Sequence, residues 1–205
     1  MVVFLAQFAA GLSANKEVHM QSFQDYNEKV DWFNKRTNKH IKLVQDFARK
    51  LEDNFPEELS CLVVQSLVHD ESKFKEPEYT PYLDISWNYK LKDEGKPSNL
   101  STDAANKATF HHVKNNKHHP EYHTTQTDNI LNRDDRDKPS TVMVDSTKMD
   151  IISLAEMVCD WSAMSVEKKT DPYKWAEMNI NKRWKFTDEQ VKKIYEYLDF
   201  CKKFI

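Results

Sequence analysis

Glycine occurs only twice in 205 residues, at Gly11 and Gly95, and this scarcity restricts what the chain can build. Walker-type phosphate loops and dinucleotide-binding turns need several glycines within a few residues, where backbone must turn sharply or approach a phosphate. Neither can be present. The remaining signal is helical periodicity, because the β-branched runs are too short and too interrupted for a sheet. The expected fold is all-α. A length of 205 residues suits one ordinary domain with room for a long functional insertion. The expected layout is a core at about 36–166, an N-terminal helical arm at 1–35 and C-terminal helices at 170–205.

Phe23, Tyr26, Val30 and Phe33 recur three or four apart, which predicts a first amphipathic helix. The polar stretch from Asn34 to Asn38 is read as its end. A second helix carries Ile41, Val44, Phe47, Ala48 and Leu51 on one stripe and stops near Asn54, ahead of Pro56. A third is predicted over 59–74, with Leu59, Leu62, Val63, Ser66 and Leu67 on its buried face. Residues 75–100 hold Pro77, Pro81, Gly95 and Pro97 among aromatics, and are read as a loop or lid with one short helix. Ser101 or Thr102 can cap a helix entering 104–112. Asn115 and Asn116 weaken that helix, and Pro120 biases His119 away from helical angles. Residues 124–148 include the charge run from Arg133 to Lys138 and read as solvated and mobile, with Val142 to Val144 touching the core. A strong helix follows over 149–166, and the last begins at a T-x-x-Q capping box, Thr187 with Gln190.

A net charge of -3 and a pI near 6.2 give no general attraction to polyanions, so no extended nucleic-acid surface is expected. The three cysteines, Cys61, Cys159 and Cys201, are far apart and lack CxxC spacing. That argues for a reducing, cytoplasmic setting and against a zinc–thiolate cluster. Residues 1–14 are apolar but lack a basic leader and are too short to span a bilayer, so no membrane partner is expected.

Of the eight histidines, all but His19 belong to a set of His40, His69, His111, His112, His118, His119 and His123. Any one of the 111–123 group alone would read as a solvated loop residue. His69-Asp70 differs, because it ends the apolar run from Leu62 to Val68. A buried carboxylate beside a buried imidazole is costly unless both are paired or bind a metal. Adjacent helical residues point about 100° apart and can converge on one ion across the helix surface. His40 on the preceding helix and Asp160, among Met157, Val158 and Trp161, strengthen the case. Such a donor set suits a divalent transition metal: manganese, iron, zinc, cobalt or nickel.

The order His40, His69-Asp70, Asp160 resembles that of the HD superfamily of metal-dependent phosphohydrolases. Leu67-Val68-His69-Asp70-Glu71-Ser72-Lys73-Phe74 looks like the HDxGK motif of HD-GYP phosphodiesterases and inositol oxygenase, with serine replacing glycine. His118-His119-Pro120-Glu121 resembles the paired histidines that complete a multi-metal centre in HD-GYP proteins. The whole pattern, over roughly 36–166, is similar to a family of small proteins widespread in phage and bacterial genomes. There is no GYP tripeptide and the histidine pairs lie closer together, so cyclic dinucleotide specificity is not carried across.

The resemblance implies an HD-like helical bundle with His40, His69, Asp70 and Asp160 as ligands of one ion. It implies a substrate phosphate on Lys73, and His112 and His119 as ligands of a second ion or as donors to phosphate and leaving group. Which member of each histidine pair turns inward is open. Glu156, one turn before Asp160, could orient a histidine or water. Tyr82, Trp87, Tyr89 and Tyr122 flank the motifs and could stack a nucleobase, whereas Trp32, Trp175 and Trp184 read as packing. The expected activity is hydrolysis of a phosphomonoester or phosphodiester, most plausibly of a nucleotide, by metal-activated water, with Asp70 or Asp160 taking the water proton. Alternatives are a di-iron oxygenase and a non-catalytic metal-binding or phage accessory protein. Oligomeric state stays open.

Overall fold

The computed structural model describes residues 2–97, 100–125 and 142–205, with side chains from Asp25 onward. The fold is all-α. Helix α1 (Val2–Asn54) is a single helix of 53 residues, so the expected break at Asn34 to Asn38 does not occur. Phe33, Thr37, His40 and Val44 are all buried and follow one another three or four residues apart, so one stripe runs straight through the polar stretch. The asparagines stay outside, where Asn38 Nδ2 donates to the Asn34 carbonyl at 2.8 Å. The helix ends at Asn54, ahead of Pro56, as the sequence predicts.

The helix predicted over 59–74 is a second correction. Only Leu62–Ser66 form a helix, α2, because the apolar run does not keep one face. Leu59 and Leu62 are fully buried, yet Val64, Leu67 and Val68 are 67%, 63% and 58% exposed. Turns follow, and Asp70 takes left-handed angles (φ 59°) before a 3-10 turn at Glu71–Phe74. His69 and Asp70 therefore project together from a broken helix end rather than lying along a helix surface.

The third correction concerns the expected lid. Residues Tyr79–Asp93 form a 15-residue helix, α3. Pro81 falls in its first turn, where a missing N–H has no intrahelical acceptor to lose. Leu83 and Ile85 are buried, and Tyr79 packs edge-on against Phe33 at 5.7 Å, fixing α3 on α1. Helix α4 (Thr102–Asn115) follows. The charge run from Arg133 to Lys138 lies outside the described residues. After it, β1 (Val144–Asp145) pairs in parallel with β2 (Trp184–Lys185), and Val144 is fully buried.

Helix α5 (Ile151–Lys168) is the centre of the bundle and packs against α1, α2, α6 (Pro172–Asn179) and α7 (Asp188–Cys201). Its start is fixed by Asp150, whose side chain accepts from Ser153 N. The capping box of Thr187 and Gln190 opens α7 as expected. Leu51, Leu62, Leu154, Val158, Ile194 and Leu198 are fully buried in one cluster from these helices. Truncating Leu154 to alanine would cost about 2–5 kcal/mol. Trp161 stacks on Trp184 at 5.8 Å, with Trp175 edge-on to Trp184 at 6.3 Å. No helix among the described residues is long and apolar enough to cross a membrane.

Candidate metal centre

Helices α1 and α5 cross with polar groups on their buried faces. His40 comes from α1, and Glu156 and Asp160 come from α5, one turn apart. The broken end of α2 delivers His69 and Asp70, the buried face of α4 delivers His112, and the chain after α4 brings in His118 and His119. Asn116 closes α4 and Pro120 opens a short 3-10 turn at Pro120–His123, so these last two lie in the bend between and turn back instead of continuing along α4.

Asp70, 1% exposed, is the hub. Its Oδ1 lies 3.1 Å from His112 Nε2 and 3.7 Å from His118 Nε2, and its Oδ2 lies 3.7 Å from His69 Nε2. Lys73 Nζ closes an ion pair on Oδ2 and sits 5.3 Å over the ring of Tyr82. His40 Nε2 meets Asp160 Oδ1 at 2.9 Å, and its Nδ1 faces Glu167 at 3.5 Å. The His118 and His119 rings are 4.2 Å apart, and the His119 ring is 4.8 Å from that of His112.

Behind the inward-facing nitrogens stand two carboxylates. Glu156 Oε1 accepts from His69 Nδ1 at 2.8 Å and lies 3.5 Å from His118 Nδ1, while its Oε2 accepts from Gln65 Nε2 at 2.7 Å. Glu78 Oε2 is 2.8 Å from His112 Nδ1, and its Oε1 is 2.7 Å from His111 Nδ1. An imidazole donating through Nδ1 presents a lone pair at Nε2. The Nε2 of His69 thus faces Asp70 as acceptor against acceptor. His69 Nε2, Asp70 Oδ1 and His119 Nε2 are all buried without a hydrogen-bond partner. Opposed, desolvated acceptors of this kind are costly unless a cation lies between them.

The charges agree. Burial and the neighbouring His118 hold His69 below its ordinary value, and burial with His118 and His112 holds His119 well below it. Both are neutral imidazoles, the form that binds metal. Burial alone would raise Asp70, but the Lys73 ammonium paired on its Oδ2 leads the interactions that outweigh burial and keep the carboxyl ionised. Burial opposes a charge on His40 too, yet Asp160 and Glu167 raise it to about 9 in the metal-free protein. The same partners act on Glu156, where hydrogen bonds from His118 and His69 overcome burial and bring it down to about 2.

Buried sets here could hold a metal ion. The donor atoms of His40, His69 and Asp70 lie within 4.8 Å of one another, as do those of His112, His118 and His119. Asp160 joins the first set through His40. A third grouping, His69 with His118 and Glu156, meets the same distance, but Glu156 already accepts from His69 and Gln65 and serves better as their support. The profile of DUF5662, a family of unknown function, matches residues 29–199. This chain belongs to that family. The match covers every DUF5662 residue of the site, from His40 to Asp160, and begins beyond the first half of α1. No curated protein and no solved structure matches the chain.

Sequence reasoning left each histidine pair undecided. In this DUF5662 chain His112 turns inward while His111 stays on the rim, 40% exposed, whereas His118 and His119 both enter. His123 stays out and binds the Lys117 carbonyl at 2.8 Å. Glu78, Glu167 and Gln65 were missed, and His118 was weighed only as one member of an undecided pair. For Glu78 no sequence signal exists, since it stands among Pro77, Tyr79 and exposed neighbours. Among the aromatics considered for a base, Tyr82 borders His112 at 5.5 Å. Trp87 and Tyr89 lie beside Lys90 and Arg36 instead, and Tyr122 packs on His123.

Proposed function

We propose that this protein is a metal-dependent phosphohydrolase of the HD type, acting on a phosphomonoester or phosphodiester and most plausibly on a nucleotide. The observation that carries the reading is the convergence of the His69, His112 and His118 Nε2 atoms on the buried, ionised Asp70, with the lone pair of His69 Nε2 set against a carboxylate oxygen. His40, His69, Asp70 and Asp160 would hold one divalent transition metal, and His112, His118 and His119 with the other oxygen of Asp70 would hold a second. Such an ion supplies Lewis acidity and a bound water of lowered pKa.

The remaining work falls to side chains of this chain. Lys73 is 19% exposed beside Asp70, so its ammonium can take a phosphate oxygen at the rim and offset negative charge that grows in the transition state. Tyr82, under that ammonium, offers a ring face to the rest of the substrate. Asp70 and Asp160 are the carboxylates within reach of a proton leaving water. The test is elemental analysis of protein purified without chelator, then a screen of nucleotides with the native ion restored. Metal-dependent phosphate release with at least one nucleotide, lost in Asp70→Ala, is expected. Release that persists in that variant would defeat the reading.

A di-iron oxygenase is the second reading, and the position of Asp70 between two histidine-rich sets is what favours it. Dioxygen uptake and an iron-dependent optical spectrum would separate it from hydrolysis.

A further inference from the structure

Glu78 is 0% exposed and lies at the start of α3, outside the ligand sets. Its carboxylate takes three donors: His111 Nδ1 at 2.7 Å, His112 Nδ1 at 2.8 Å and Ser72 Oγ at 2.9 Å. A buried carboxylate with three hydrogen bonds is fixed in place. The hydrogen between Glu78 and His112 can be placed by elimination. Asn116 Nδ2 is 3.0 Å from His112 Nδ1 and could in principle donate to it. Its two hydrogens already go to Ser72 Oγ at 2.8 Å and to the His112 carbonyl at 2.8 Å. The Ser72 hydroxyl hydrogen points to Glu78. Nothing else is left to donate to His112 Nδ1, so that nitrogen carries the proton and gives it to Glu78.

We infer that Glu78 is a positioning residue for His112, locking it in the Nδ1–H tautomer with the Nε2 lone pair turned to Asp70, and so sets the affinity of the second metal position. Glu78 does for His112 what Glu156 does for His69, from an element that contributes no ligand. Outer carboxylates of this sort tune both ring orientation and ligand basicity, and losing one typically weakens metal binding about 10–100-fold. Ser72 and Asn116 complete the support, and this gives the serine of the His69-to-Lys73 motif a role. The inference rests on the metal reading above.

The experiment uses the full chain stripped with chelator and titrated with Co²⁺ alone, followed by ligand-field absorption. Histidine tautomers in the stripped protein are read by ¹⁵N NMR. Wild type should take two ions and show His112 as Nδ1–H. Glu78→Gln should keep the first ion at wild-type affinity, bind the second about 10–100-fold more weakly and lose the fixed tautomer, with Glu78→Asp recovering part of both. Should Glu78→Gln fail to fold, Ser72→Ala loosens the same carboxylate and should weaken the second ion alone. Glu78→Gln with both affinities and the tautomer unchanged overturns the inference, and so does a wild type that takes a single ion; both leave the first position standing. A wild type that takes none overturns the metal reading itself.

Discussion

The two halves of the site are built from the same chemistry on different foundations. His40, Glu156 and Asp160 project from α1 and α5, which pack on each other through the centre of the core. His112, His118 and His119 project from α4 and the turn after it, and are held chiefly by polar contacts. Lys114 donates to the carbonyls of Glu121 and Thr124 at 2.9 and 2.7 Å, Ser146 reaches the Pro120 carbonyl, and Trp184 Nε1 donates to Glu121 Oε1 at 2.8 Å. Packing holds one set of ligands and a hydrogen-bond network holds the other. The first set should therefore survive small changes that loosen the second.

Asp70 is where the two halves meet, and its loss should have the largest effect. Asp70→Ala removes an oxygen from each set and leaves the half-buried Lys73 ammonium without its carboxylate partner. Inductively coupled plasma analysis should find no ion retained, and phosphate release should vanish. Stripping the wild type with chelator should abolish turnover reversibly, with activity returning when the ion is restored.

Next in size are His112→Ala and His119→Ala. Each should lower the metal content from two ions per chain to one and leave the first-set affinity within a few-fold. Variants that keep both ions but lose turnover would assign these histidines to the substrate phosphate instead, and the second set would cease to be a metal position.

The contrast between the halves also explains what could be read from the chain. His69, Asp70 and Asp160 stood out because polar residues in or at the end of an apolar run need a partner to be tolerated, whereas His40, in a polar stretch, entered only through the order His, His-Asp, Asp. The all-α class and the Thr187–Gln190 cap were visible for the same local reason, since stripes and caps are written within a few residues. The helix predicted over 59–74 failed because Val64, Leu67 and Val68 are apolar but exposed, and composition does not say which face meets a core. The lid expected at 75–100 became α3 because Pro81 is harmless in a first turn and packing on Phe33 outweighs local propensity. Glu78 and His118 depend on tertiary folding across more than 30 residues, and no spacing rule reports that.

A smaller effect should follow pH. In the metal-free protein His40 is raised from its ordinary 6.5 to about 9. Its stabilisation is complete below 6.5 and is lost as pH rises through 9, a loss on the order of 3 kcal/mol. Glu156, lowered from 4.5 to about 2, works the other way: its contribution is present above 4.5 and is lost as pH falls toward 2. Urea denaturation of chelated protein should thus show greatest stability between these windows. Because His40 must be neutral to ligate, loading the first ion between pH 6.5 and 9 should release a proton, and affinity should climb with pH there. Calorimetry in two buffers of different ionisation enthalpy measures that release. A buffer-independent heat would exclude His40 from the ligand set.

The smallest expected effect tests the polar foundation directly. Trp184 is stacked on Trp161 and meets Trp175 edge-on, so Trp184→Phe keeps much of the apolar contact while deleting the indole donor to buried Glu121. Removing one partner of a buried hydrogen bond costs about 1–3 kcal/mol, and part of that should appear as lower global stability, since β2 is tied to the same core. The informative part is local. Glu121 follows His118 and His119 by two or three residues, so loosening it should weaken the second ion by a few-fold through misplacement of their rings. The first ion, held by α1 and α5, should bind as before. If Co²⁺ titration of Trp184→Phe shows both positions weakened equally, the two halves share one foundation and the division drawn between them is wrong.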